Sequence, residues 1–144
     1  NQERVNIMSY QKLSPVELIA AVKKKIESYT DLKCYDAVPV NAESPFYYAE
    51  ITRILPANTK TMFRDNYTVW IHCIAERSDS SVGVYNLIEK LQEALSEDIS
   101  LPEPFELIMQ TDDGVQTIKT DKSGEKHAVV TFEFMVCYGF KCKI

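Results

Sequence analysis

Glycine is scarce in this chain: four of 144 residues, at positions 83, 114, 124 and 139, with no two adjacent. A phosphate-cradling loop or a dinucleotide fingerprint needs several glycines at fixed offsets, so nucleotide binding has no support. Long apolar runs are missing too. No stretch approaches the about 18 to 20 consecutive apolar residues of a membrane span, and the opening NQERVNIMSY is too polar for a signal peptide. A soluble, cytosolic protein with no membrane partner is therefore expected. Basic residues are outnumbered 16 to 21, leaving a formal net charge of −5. Wrapping nucleic acid needs Lys and Arg clustered on one face, so direct, sequence-specific nucleic-acid binding is not expected.

Histidine and cysteine are also few. The two histidines are His72 and His127, and the four cysteines, Cys34, Cys73, Cys137 and Cys142, contain no Cys-x2-Cys pair. Structural zinc wants such pairs in matching sets, so no metal and no cofactor are expected. Three of the cysteines lie in runs rich in β-branched and aromatic residues, which predicts buried free thiols rather than a disulfide framework. A nucleophilic pair of Cys73 or Cys137 with His72 or His127 stays open, because such partners meet in space rather than in sequence. His72 with Cys73 is excluded, since adjacent strand residues point to opposite faces.

What is present is enough apolar content, 45%, for one good core. A single domain over 1–144 is expected, with residues 1–13 a poorly ordered N-terminal extension. SPVE at 14–17 predicts a helix start: Ser14 caps, Pro15 suits the first helical position and Glu17 completes a capping box. Ile19, Val22, Ile26 and Tyr29 follow at helical spacing. KCYDAVP at 33–39 reads as a short strand and SPFYYAEITRIL at 44–55 as a longer one, with Tyr47, Ala49 and Ile51 on one face and Phe46, Tyr48, Glu50 and Thr52 on the other. PANTKTMFRDN at 56–66 has no period and reads as a loop into the strand YTVWIHCIAER, both of whose faces are expected to be covered for part of its length. A second helix takes Asp79, Ser80 or Ser81 as cap and carries Val84, Ile88, Leu91 and Leu95 as its stripe. Then comes a meander: FELIMQT, a tight turn at Asp113-Gly114, VQTIKT, a second turn at DKSGE, and the long HAVVTFEFMVCYGFK. The order α-β-β-β-α-β-β-β predicts an α+β fold, a single mostly antiparallel sheet with two amphipathic helices packed on one face.

TDDG and TDKSGE place Asp near Gly without the regular ligand positions of a calcium loop, so hairpin turns explain them better. VKKK fans around its helix as a solvated face. Trp70, Tyr47 and Tyr48 suit both a sheet core and an interface.

A helix of the ELIAAVKKKIES kind, then YDAVPVNAESPFYYAEIT, then YTVWIHCIAERSDSSVGVYNLIEKLQEAL and a strand-rich end resembles the small tail-completion proteins of long-tailed bacteriophages and prophages, also called tail-terminator or head–tail joining proteins. The resemblance covers roughly residues 15–140. Its most specific parts are Pro45 with the aromatic and aliphatic residues through Ile51, and Trp70 in a strand that passes through AERSDSS into an amphipathic helix. It implies a structural virion-assembly protein and not an enzyme. Such a protein caps the head-proximal end of the tail tube, stops its growth and presents a surface to the head–tail connector, typically as a ring of six copies. Its partners would be itself, the tail-tube protein and the connector. Its places would be the bacterial cytoplasm during assembly and the virion tail.

A ring grows from one patch on each subunit meeting a different patch on the next. The expected patches are the strand 46–54 and the loops 55–66 and 111–126, with Tyr48, Glu50, Arg53, Met62, Phe63, Arg64, Asp65, Asp112 and Asp113 as interface residues. Asp65, Asp112 and Asp113 are further candidates for a lumen whose negative charge lets DNA slide. Two other readings compete: a monomeric small-ligand or protein-binding α+β module with a closed pocket around Trp70, and a cysteine-dependent hydrolase.

Overall fold

The computed structural model describes residues 10–141. Helix α1 spans Pro15–Thr30, and the Ser14 hydroxyl accepts the Val16 N–H at 3.2 Å. It ends at Asp31, whose φ of 61° breaks the helical path. Strand β1 is only Cys34–Tyr35; β2 is Phe46–Pro56 and β3 is Met62–Arg77. Helix α2, Val82–Ala94, starts where the Ser80 hydroxyl takes the Val82 N–H at 3.1 Å. Strands β4, Glu106–Thr120, and β5, Glu125–Phe140, complete a five-stranded sheet in the order β1-β2-β3-β5-β4. Every pairing is antiparallel except β1 with β2. The fold is thus α+β, with both helices on one face of a mostly antiparallel sheet.

The core lies between that face and the helices. Tyr67, Val69, Ile71, Cys73 and Ala75 of β3 and Ala128, Val130, Phe132, Phe134 and Val136 of β5 are buried against Leu18, Val22 and Ile26 of α1 and Val84, Leu87 and Leu91 of α2. Tyr47 reaches through this layer and donates its hydroxyl to the Leu87 carbonyl at 2.8 Å. The period-two alternation of β3 and β5 produces this face directly.

Three expectations need correcting. Residues 56–66 are not one long loop, because Met62–Asn66 already belong to β3 and only 57–61 connect the hairpin. Their polar side chains hid the strand, and each finds a partner: Arg64 Nε donates to the Ala57 carbonyl, Lys12 reaches the buried Asp65 at 3.5 Å, and Asn66 Nδ2 donates to Glu133 Oε1 at 2.8 Å. Asp113-Gly114 is not a hairpin turn but a bulge inside one continuous β4. Asp112 Oδ1 accepts the Gly114 N–H at 2.8 Å and Gly114 takes φ +96°, a turn-like link that kinks the strand without reversing it. The second expected turn does close a hairpin, with Asp121 accepting from the Ser123 and Glu125 amides.

The expected disorder of 1–13 fails at Tyr10–Leu13, which pack across one end of the sheet; residues 1–9 lie outside the described residues. Tyr10 donates its hydroxyl to the Phe140 carbonyl and lies so close to Gly139 that a Cβ there would meet its ring at 2.5 Å. Leu13 is buried, and its carbonyl accepts the Tyr67 hydroxyl at 3.0 Å. Tyr67→Phe would leave that carbonyl unpaired and is expected to cost about 1–3 kcal/mol. Urea denaturation checks this; an unchanged midpoint would mean that the bond does not hold the segment.

Candidate functional site

Where the helices cover one face of the sheet, the other is left open, against the expectation for β3. Trp70 is 41% exposed there. Cross-strand pairing sets the rows of this face: Tyr48 beside His72 and Val129, Glu50 beside Trp70 and Thr131, Arg53 beside Thr68 and Glu133. The β4 bulge adds Asp113, Gln116 and Thr117, and Lys119 closes one end. The result is a cleft of about 650 Å³, open to solvent rather than a closed pocket around Trp70.

A hydrogen-bonded chain crosses three strands on this face. Glu50 Oε2 lies 2.6 Å from His72 Nε2, and His72 Nδ1 lies 2.8 Å from His127 Nε2. Tyr48 stacks on the His72 ring at 4.9 Å. Because the carboxylate accepts, His72 Nε2 carries a proton. A neutral His72 then offers Nδ1 as acceptor, and His127 must donate from Nε2. A proton on His72 Nδ1 together with one on His127 Nε2 would set donor against donor, so only one of the two nitrogens carries the proton of this hydrogen bond. Burial pushes the His127 pKa down, helped by His72 and Lys119.

Beside the chain lies a carboxyl pair. The Asp113 carboxyl is pushed up to about 6 by its hydrogen bond with Glu133, by burial and by the charges of Glu133 and Asp112. Glu133 is held low by the hydrogen bonds from Asp113 and Asn66 and by the Arg53 charge. Thr131 Oγ1, buried beneath, has no partner among the described residues.

The structure brings Tyr48, Glu50, Arg53 and Asp113 together here. It places Met62, Phe63, Arg64 and Asp65 apart, at the start of β3, where Phe63 packs between Tyr10 and Tyr138 and Asp65 is buried. Asp65 therefore presents no charge to a lumen, and Asp112 is occupied with the Gly114 amide. His72, His127, Thr131 and Glu133 were missed as site residues. Glu133 carried a signal, being an acid between Phe132 and Phe134 in an otherwise apolar strand.

Nucleophilic chemistry finds little footing. Burial pushes the Cys34 thiol up to about 12 and the Cys73 thiol higher still, so neither supplies a thiolate. Cys73 also faces the helices, while His72 and His127 lie across the sheet from it. Cys142 lies outside the described residues. Among those residues no group of three or more His, Cys, Asp or Glu could hold a metal ion.

The carboxyl pair makes stability depend on pH with a defined sign. A carboxyl raised in the folded state contributes fully below its unfolded value, 3.8, and loses that contribution as pH rises through about 6. Asp113→Asn keeps a hydrogen-bond donor toward Glu133 and removes the charge. It is expected to be more stable than the parent at pH 8, with the gain vanishing below about pH 4. Urea midpoints across that range decide it; a difference independent of pH would deny the shared proton.

The site is thus an open sheet face centred on Trp70. The family described as "Putative tail termination protein" matches residues 9–144. Among curated protein sequences none matches. A chain in the virion of a native gene transfer agent particle superposes with a TM-score of 0.69 at 17% identity, covering 88% of this chain and 99% of that one. At that identity the likeness is one of fold. The family match spans nearly the whole chain: it is a structural protein of the phage tail and belongs to the family of phage tail termination proteins.

Proposed function

We propose that this chain completes the head-proximal end of the phage tail tube, closing there as a ring, most simply of six copies, that halts tube growth and then receives the head connector. The observation that carries this reading is the family match over residues 9–144, with a fold that agrees over most of its length with a virion component. Burial keeps the Cys34 and Cys73 thiols protonated, which accords with a role that works by shape and contact. Its surroundings are the bacterial cytoplasm while tails assemble and the finished tail thereafter.

Within this reading the contact residues are Tyr48, Arg53, Asp113 and Trp70 on the open face and Met62 and Arg64 near the tip of the β2–β3 hairpin. Glu50 is better understood as the anchor of His72 than as a free contact. The charge of the open face is nearly balanced, with Glu50, Asp113 and Glu133 set against Arg53 and Lys119.

Purified protein added to tail tubes growing from their tube subunit is expected to arrest elongation and to sit on one end only, as seen by electron microscopy. Native mass spectrometry of the same sample should show a closed oligomer. Tubes that lengthen unchanged would sink the reading.

A further inference from the structure

Two strands at opposite margins of the sheet have free outer edges. β4 pairs only with β5, and among the described residues no backbone group of 107–120 bonds to the main chain on its outer side. β2 is covered on its outer side by β1 only at Tyr47 and Tyr48, leaving Ala49–Pro56 bare. A long unpaired edge is a template for another strand.

The two edges fit each other. They are unlike, so a contact between them is heterologous, the kind that can close into a ring. Their polarity agrees as well. β2 is antiparallel to β3, β3 to β5 and β5 to β4, so β2 and β4 run in opposite directions. A second copy displaced sideways in the plane of the sheet keeps its strand directions. Its β2 then meets β4 antiparallel and continues the existing alternation.

Their levels agree too. Leu55 stands across from Asn66, Asn66 from Met135, and Met135 from Met109. Leu55 and Met109 therefore share one row on the helix-free face, and both are apolar and exposed, 46% and 54%. Joined at this level, each would cover the other.

We infer that the outer edge of β4, around Met109, pairs with the outer edge of β2, around Leu55, of a second copy of this chain, so that the sheets of neighbouring subunits run on as one. Both edges are guarded against indiscriminate pairing. β2 is bulged between Ile51 and Arg53, and β4 at three places, between Leu107 and Met109 beside the proposed joint, between Asp112 and Gly114 and between Val115 and Thr117. Bulges and the charges of Arg53, Asp112 and Asp113 limit which strand and which register can dock. Every copy joined this way keeps its helices on one side of the common sheet and its open cleft on the other.

The inference rests on the ring reading, and one experiment separates the two. Leu55→Cys and Met109→Cys are made singly and together in a Cys142→Ser background and treated with a short bismaleimide, whose spacer tolerates an offset of two residues. Native mass spectrometry of the untreated proteins reports assembly independently. The double variant is expected to give a ladder of cross-linked multimers, and a mixture of the two single variants a cross-linked dimer. Each single variant alone should stay at background. Met109→Cys linking to itself would mean a two-fold β4–β4 contact and would overturn the inference. An oligomer without the mixed link would overturn it while leaving the ring intact. A chain that stays monomeric at every concentration, with and without tube ends, would remove both.

Discussion

The ladder between β3 and β5 is the constraint on which the rest of the structure depends. It is the longest pairing in the sheet, running from Met62 beside Phe140 to Arg77 beside Glu125. Its alternation decides which residues meet the helices and which remain on the open side. A slip of one residue would turn Val69, Ile71, Phe132 and Phe134 outward and bring Trp70, His72, Thr131 and Glu133 into the core. The cost of burying those polar groups against α1 and α2 makes the observed register the one the sequence tolerates. β2 and β4 then inherit their positions from β3 and β5, and the levels of the outer edges follow from the centre of the sheet.

The same ladder explains why the polar groups of the open face cluster. Residues across from one another on antiparallel strands lie within side-chain reach, so a polar residue on one strand favours a polar partner on the next. Glu50, His72 and His127 satisfy one another across β2, β3 and β5; Asn66, Glu133 and Asp113 do so across β3, β5 and β4. Each network ties neighbouring strands on the side that has no helix to hold them. The open face is therefore kept in shape by hydrogen bonds, where the covered face is kept in shape by packing.

Much of this architecture was readable from the residues. The Ser14-Pro15 start of α1, the apolar stripe of α2 and the alternation of β3 and β5 are local signals, and local signals survive into the fold. What was not readable depended on partners distant in sequence. Arg64, Asp65 and Asn66 looked like loop because their partners, Ala57, Lys12 and Glu133, could not be known in advance. Asp113-Gly114 carries the same chemistry in a bulge as in a hairpin turn, and only pairing with an unbroken β5 distinguishes them. Four of the expected contact residues meet on the open face, but the histidines that organise it are joined by a diagonal pairing with no sequence signature.

A fold of this kind must reconcile a flat, extendable sheet with solubility. The helices protect one face and Tyr10–Leu13 pack across one end of the sheet, whereas the two margins are left to side chains and backbone irregularity. Charge at Arg53, Asp112 and Asp113 keeps free copies from stacking edge to edge at random, and the bulges bend each margin out of the plane a stray strand would need. These devices weaken general association while leaving the exposed apolar pair, Leu55 and Met109, at matching levels. A weak intrinsic edge contact of this sort gains strength when several copies are held side by side on a common template, because each joint then forms at high effective concentration. Under the proposed ring reading, assembly would in that way be deferred until a tube end presented the copies to one another.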